Sequence, residues 1–127
     1  MHRPRILVAI GILCSAAAAQ AADGLQWERY TIEVAAQPGQ KVVHVEFPFR
    51  NAGDRVVTIV SVETSCRCTS ADTSKKSYSP GEKDAVSVDL AIGAQSGLVE
   101  KSVTVTTDGP ELKPFLLSLK VRVPGPP

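Results

Sequence analysis

Val42-Val43-His44-Val45-Glu46-Phe47-Pro48-Phe49-Arg50 decides the fold. Val43, Val45, Phe47 and Phe49 fall on one parity. Val42, His44, Glu46 and Pro48 fall on the other. A period of two belongs to a strand with one face in a core and one in water. Pro48 has no N–H for a ladder, which predicts an edge or a bulge at this end.

The same period recurs on both sides. Upstream, Tyr30, Ile32 and Val34 alternate with Thr31 and Glu33, and Gln37-Pro38-Gly39-Gln40 reads as a turn. Downstream, Asn51-Ala52-Gly53-Asp54 reads as a tight, hairpin-like turn. Val56 to Val62 is apolar on both parities. That suits a strand buried on both faces, or one whose phase a bulge shifts. Thr69 to Ser79 is polar, with room for one short edge strand near Lys76 to Tyr78. Ser79-Pro80-Gly81-Glu82 has the proline and glycine of a type II turn. Val86, Val88, Leu90 and Ile92 mark another strand, then Val99, Val103 and Val105, then Phe115, Leu117, Leu119, Val121 and Val123. No stretch carries a helical period. About seven antiparallel strands at this spacing predict an all-β, immunoglobulin-like β-sandwich.

The N-terminus reads as an address. His2, Arg3 and Arg5 precede an uncharged apolar run from Ile6 to Ala19, and Ala19-Gln20-Ala21 offers small residues to a signal peptidase. Residues 1–21 are therefore expected to be a signal peptide, and 22–127 one domain with a proline-rich tail. A lipoprotein reading of Cys14 is the alternative, but Leu13 stands where a small residue is needed. Cleavage removes 21 of 127 residues and leaves 106, enough for one core. Arg3 and Arg5 leave with the leader, so 12 of the 14 basic residues remain against 13 acidic ones. That balance argues against a nucleic-acid surface, which wants a clustered basic stripe, and gives no polybasic membrane patch. The expected location is periplasmic or extracellular, with no membrane insertion of the mature chain.

One run has unusual chemistry: Ser65-Cys66-Arg67-Cys68-Thr69. Taken jointly, Phe47-x-Phe49-x-Asn51-x-Gly53, Ile59-x-x-Val62, this cysteine run, Pro80-Gly81-Glu82 and the threonine-rich Thr104 to Thr107 resemble a bacterial family. It is a group of exported immunoglobulin-like domains, domain of unknown function fifteen-seventy-three. The resemblance spans roughly Val42 to Val123. It implies a sandwich related to pilus chaperones and cilia-associated Hydin-type domains, and it implies export. Family members usually have glycine between the cysteines, where this chain has Arg67. Arginine disfavours the positive φ that glycine permits, so an extended Cys-x-Cys is expected. Both thiols would then share a face, with Cα atoms about 6.5 Å apart. A Cys66–Cys68 disulfide at that span would be strained and easily reduced.

Three readings fit the pair. Cys66 and Cys68 close a strand as small apolar side chains, with or without a bond between them. Or they grip Cu(I) or Zn(II) as thiolates, copper being favoured because a structural zinc site wants four protein ligands, with His44 the remaining candidate ligand. Or they exchange disulfides, although the Cys-x-x-Cys of thioredoxin-like enzymes is absent. No nucleophile elbow, phosphate loop or His-Glu-x-x-His is present, and Asp72, Asp84 and Asp89 form no calcium loop. Trp27 is expected in the core or at its rim. The reading that follows is a non-enzymatic exported interaction domain without a cofactor. It would meet an envelope protein through an exposed sheet edge. Copper handling is the alternative and a redox module the third.

Overall fold

The computed structural model describes residues 11, 24–110 and 113–125. The cleavage site after Ala21 and Cys14 lie outside the described residues, as does almost all of the leader. The described chain forms nine strands and no helix. They are β1 (Leu25–Trp27), β2 (Thr31–Ala35), β3 (Val42–Asn51), β4 (Val57–Thr64), β5 (Thr69–Asp72), β6 (Ser77–Tyr78), β7 (Lys83–Ala91), β8 (Gly97–Thr107) and β9 (Phe115–Val123). One sheet runs β1-β3-β7-β5 and the other β2-β9-β8-β4-β6. The all-β sandwich expectation holds.

The core follows the alternation. Val43, Val45, Phe47 and Phe49 from β3 meet Val86, Val88 and Leu90 from β7 on the inner face of the first sheet. Val103, Val105, Leu117, Leu119 and Val121 close over them from the second. Trp27 is buried at one end, tilted against Phe49 and Phe115 at centroid distances of 5.0 and 5.6 Å. Burying these side chains is the main favourable term, about 1.5–3 kcal/mol for each large one.

Four readings are refined. The strands number nine rather than about seven, because polar β5 and the very short β1 have too few apolar side chains to announce themselves. Not all pairs are antiparallel: β2 runs parallel to β9, Thr31 beside Ser118 through Ala35 beside Arg122. The segment Asn51–Asp54 is no hairpin; it carries the chain from the first sheet to the second. Finally, Val56–Val62 is not buried on both faces. Val57 and Ile59 are buried, whereas Val56 and Val60 are exposed. The register against β8 shifts between Ile59 and Ser61, which is the bulge that explains the mixed parity.

The turns behave as their residues require. Gly81 takes φ +81° and Glu82 N donates to Ser79 O at 3.0 Å, closing the Ser79–Glu82 turn. Pro48 sits where β1 runs out. Glu28 N donates to Pro48 O at 3.1 Å, and Pro48 has no N–H to return. The ladder ends there, and the chain leaves for β2 in the other sheet.

Candidate functional site

The cysteine run links β4 of one sheet to β5 of the other. Each side is tied down. Ser65 N donates to Ser102 O at 3.0 Å, and Ser65 Oγ accepts from Ser102 N at 2.9 Å. Across the sandwich, Ala91 N donates to Cys68 O at 2.8 Å. Between these anchors the chain turns, with Thr69 N donating to Cys66 O at 3.1 Å. Thr64 Oγ1 donates to the same carbonyl at 3.1 Å.

The expected extended Cys-x-Cys is therefore corrected. Cys66 to Thr69 is a tight turn, the Cα atoms of the cysteines lie 5.2 Å apart, and a disulfide joins them. Arginine does not prevent this, because a type I turn needs only negative φ at its central positions. Among the described residues no non-glycine has a positive φ. The separation falls inside the ordinary disulfide range, which removes the distance argument for strain. Both cysteines are half-buried, Cys68 packs against the core, and Arg67 is exposed at the tip.

His44 is not brought to this pair. It stands on the outer face of β3, opposite Asp89 of β7. Its Nδ1 lies 2.7 Å from Asp89 Oδ1, and its Nε2 is 3.8 Å from Glu46 Oε1. The hydrogen bond to Asp89 foremost, with the charges of Asp89 and Glu46, holds its pKa above the ordinary 6.5. Among the described residues no three histidine, cysteine or acidic side chains gather as metal ligands. The His44–Asp89 pair is invisible in the sequence. The two residues are 45 apart, and only the strand register makes them neighbours.

Two further groups emerge only in three dimensions. Asn51 is fully buried. Its Nδ2 donates to Arg55 O at 2.7 Å and to Tyr78 O at 2.8 Å, while its Oδ1 accepts from Gly53 N at 3.1 Å. It bolts the sheet-crossing turn to β6. Asp84 accepts from Tyr78 Oη at 2.7 Å and from Ser74 Oγ at 2.5 Å. Burial opposes its charge most, yet the bonds from Ser74, Tyr78 and Ala85 together hold its pKa below the ordinary value. Lys75 pairs with Glu82 and lies over the Tyr78 ring. These networks order the β5–β6 loop.

The edges complete the surface. β1 covers β3 only from Phe49 to Asn51. From Val42 to Phe47, β3 has β7 on one side and no described strand on the other. This is an open main-chain ladder beside exposed His44 and Glu46 side chains.

Two sheets, a chain that crosses between them after β1, β3 and β4, and one parallel strand pair define a protein of the immunoglobulin-like, PapD-like sandwich class. A crystal structure from Porphyromonas gingivalis W83, itself of unknown function, superposes with a TM-score of 0.69 at 13% identity, covering 85% of this chain and 51% of that one. The periplasmic chaperone SfaE gives 0.62 at 14% identity, covering 82% and 61%. The ASH / PapD-like domain of human CEP192 gives 0.62 at 11% identity, covering 94% and 99%. At these identities the likeness is one of fold. The chain spans about half the length of the Porphyromonas gingivalis protein. No curated protein matches it. Residues 25–123 match the family described as "Protein of unknown function (DUF1573)", and the chain belongs to that family.

Proposed function

We propose that this chain is a non-enzymatic interaction module of the bacterial envelope or exterior, which takes a partner's extended segment on the open edge of β3. The observation that carries this is the end of β1 at Trp27, which leaves the side of Val42–Phe47 away from β7 without a described strand. Main-chain groups of such an edge supply affinity to an added strand, and alternate side chains supply choice. A non-enzymatic role is supported by the surroundings of His44. Asp89 orients its Nδ1 as in a catalytic pair, but Nε2 faces Glu46 rather than a hydroxyl or thiol nucleophile. The Ser87 hydroxyl instead donates to Glu46 at 3.3 Å.

The test is affinity capture from envelope extract with the mature chain, compared with Glu46→Pro. Proline at position 46 removes an outward N–H, which Pro48 also lacks nearby, together with the carboxylate that Ser87 bonds, and leaves the β7 ladder intact. A partner retained by the parent and lost with a folded Glu46→Pro supports the reading. Equal retention by both, or no retention above a blank matrix, refutes it.

A second reading concerns the reduced chain. Opening the bond would leave two half-buried thiols whose Cα atoms are 5.2 Å apart, a spacing at which a pair of thiolates can share a soft ion such as Cu(I). His44 has no part in it. Stoichiometric Cu(I) binding by the reduced protein, lost in Cys66→Ser, is the expected result; binding that survives the substitution ends this reading.

A further inference from the structure

We infer that the open edge of β3 pairs antiparallel with the same edge of a second copy of this chain, about a two-fold axis at Val45. This deepens the partner-binding reading above and rests on it. Strand alternation settles which groups are available. Lys41 O points to β7, where it accepts from Ile92 N at 2.9 Å, whereas Pro48 O points away and accepts from Glu28 N. Even-numbered residues of β3 therefore direct their main-chain groups outward. The free stretch is closed at both ends. Pro48 has no N–H and its carbonyl is occupied; the Val42 carbonyl accepts from Gln40 Nε2 at 2.8 Å. His44 and Glu46 remain.

With the axis at Val45, His44 of each copy stands opposite Glu46 of the other. Outward groups face outward groups, so each such pair exchanges both of its main-chain hydrogen bonds. The side chains opposite each other on the exposed face are then a histidine and a carboxylate, 55% and 57% exposed, with His44 held by Asp89 through Nδ1 and its Nε2 on the solvent side. Opposite charges directly across a strand pair stabilise it, and like charges destabilise it. Sliding by two residues one way sets Glu46 against Glu46; sliding the other way sets His44 against His44. Sliding by one brings an outward residue against an inward one and breaks the phase. Only one register satisfies both the hydrogen bonds and the charges. A protected edge carries charge of one sign, commonly lysine, so that any second copy is repelled. Here the signs alternate at a spacing that repels nothing in this register. The inner residues Val43, Val45 and Phe47 are already buried in their own core, so edge pairing draws on none of them.

The experiment is sedimentation equilibrium of the mature chain, of His44→Glu, of Glu46→Lys, of Glu46→Pro, and of an equimolar mixture of the first two variants. The parent is expected to dimerise reversibly. Each single charge variant sets like charges opposite each other twice and raises the dissociation constant roughly tenfold or more. Glu46→Pro is expected to be monomeric. The mixture is expected to recover association as a heterodimer. The introduced glutamate of one chain then faces the introduced lysine of the other, and the retained Glu46 faces the retained His44, so both contacts attract. A variant that merely misfolds cannot do this. A parent that stays monomeric, single variants that dimerise unchanged, or a mixture that recovers nothing overturns the inference. A monomeric parent that still captures an envelope partner through the edge sinks the dimer and leaves the partner-binding reading standing.

Discussion

Replacing Asn51 with alanine should unfold this domain more readily than replacing any other polar side chain. The amide is fully buried and makes three hydrogen bonds, to Arg55 O, Tyr78 O and Gly53 N. The Tyr78 bond is buried, so its orphaned carbonyl bears a full desolvation penalty of about 1–3 kcal/mol. The other two are part-buried, where water can replace the lost partner, and each is worth about 1 kcal/mol. The expected loss is about 3–5 kcal/mol, a large share of the roughly 5–15 kcal/mol that usually holds a domain folded. For a domain near 100 residues that lowers Tm by about 15 °C or more. The chain's single tryptophan, Trp27, is buried beside Phe49, two residues from the substitution. Its fluorescence should follow urea unfolding as one transition, with a reduced midpoint and an unchanged slope. Asn51→Asp should be at least as harmful at neutral pH, since a carboxylate would face two carbonyls. A loss below about 1 kcal/mol for Asn51→Ala, no more than one ordinary hydrogen bond, would refute the assignment of Asn51 as the bolt between the sheets.

Other expectations follow from the same geometry. The paired substitution Cys66→Ser/Cys68→Ser should cost only about 1–2 kcal/mol, because a bond between residues two apart constrains little unfolded chain; calorimetry showing a collapse of folding would contradict this. His44 should titrate above 6.5 by NMR and fall towards it in Asp89→Asn. Because its folded pKa is raised, the pair's contribution is fully present below the unfolded pKa and lost as pH rises through the folded value. Stability that instead increases across that window through His44 would reverse the assignment. Gly81→Ala should cost about 1 kcal/mol. An added Cβ meets nothing within 4 Å, so the whole loss is backbone strain at φ +81°; an unchanged midpoint in urea would show that the turn relaxes.

Legibility differs from strand to strand. β3, β7 and β9 are readable because each alternates over most of its length and turns one parity to the core. β5 is not, since Thr69-Ser70-Ala71-Asp72 pairs with β7 while presenting almost no apolar face. The turn at Ser79–Glu82 is legible from two residues whose φ preferences are intrinsic. The cysteine turn is not, because the φ preference of Arg67 alone points to an extended run; the anchors at Ser102 and Ala91, far along the chain, bend it.

By itself the sequence determined an all-β fold, the inward parity of β3, β7 and β9 and the family the chain joins, because alternation and turn chemistry are local properties of neighbouring residues. Only the tertiary structure decided which strands share a sheet, the parallel pairing of β2 with β9, the meeting of His44 with Asp89, and the length of β3 left bare. Those depend on registers between residues tens of positions apart. A register is chosen by the collective burial of whole faces, so no short stretch of the chain encodes it.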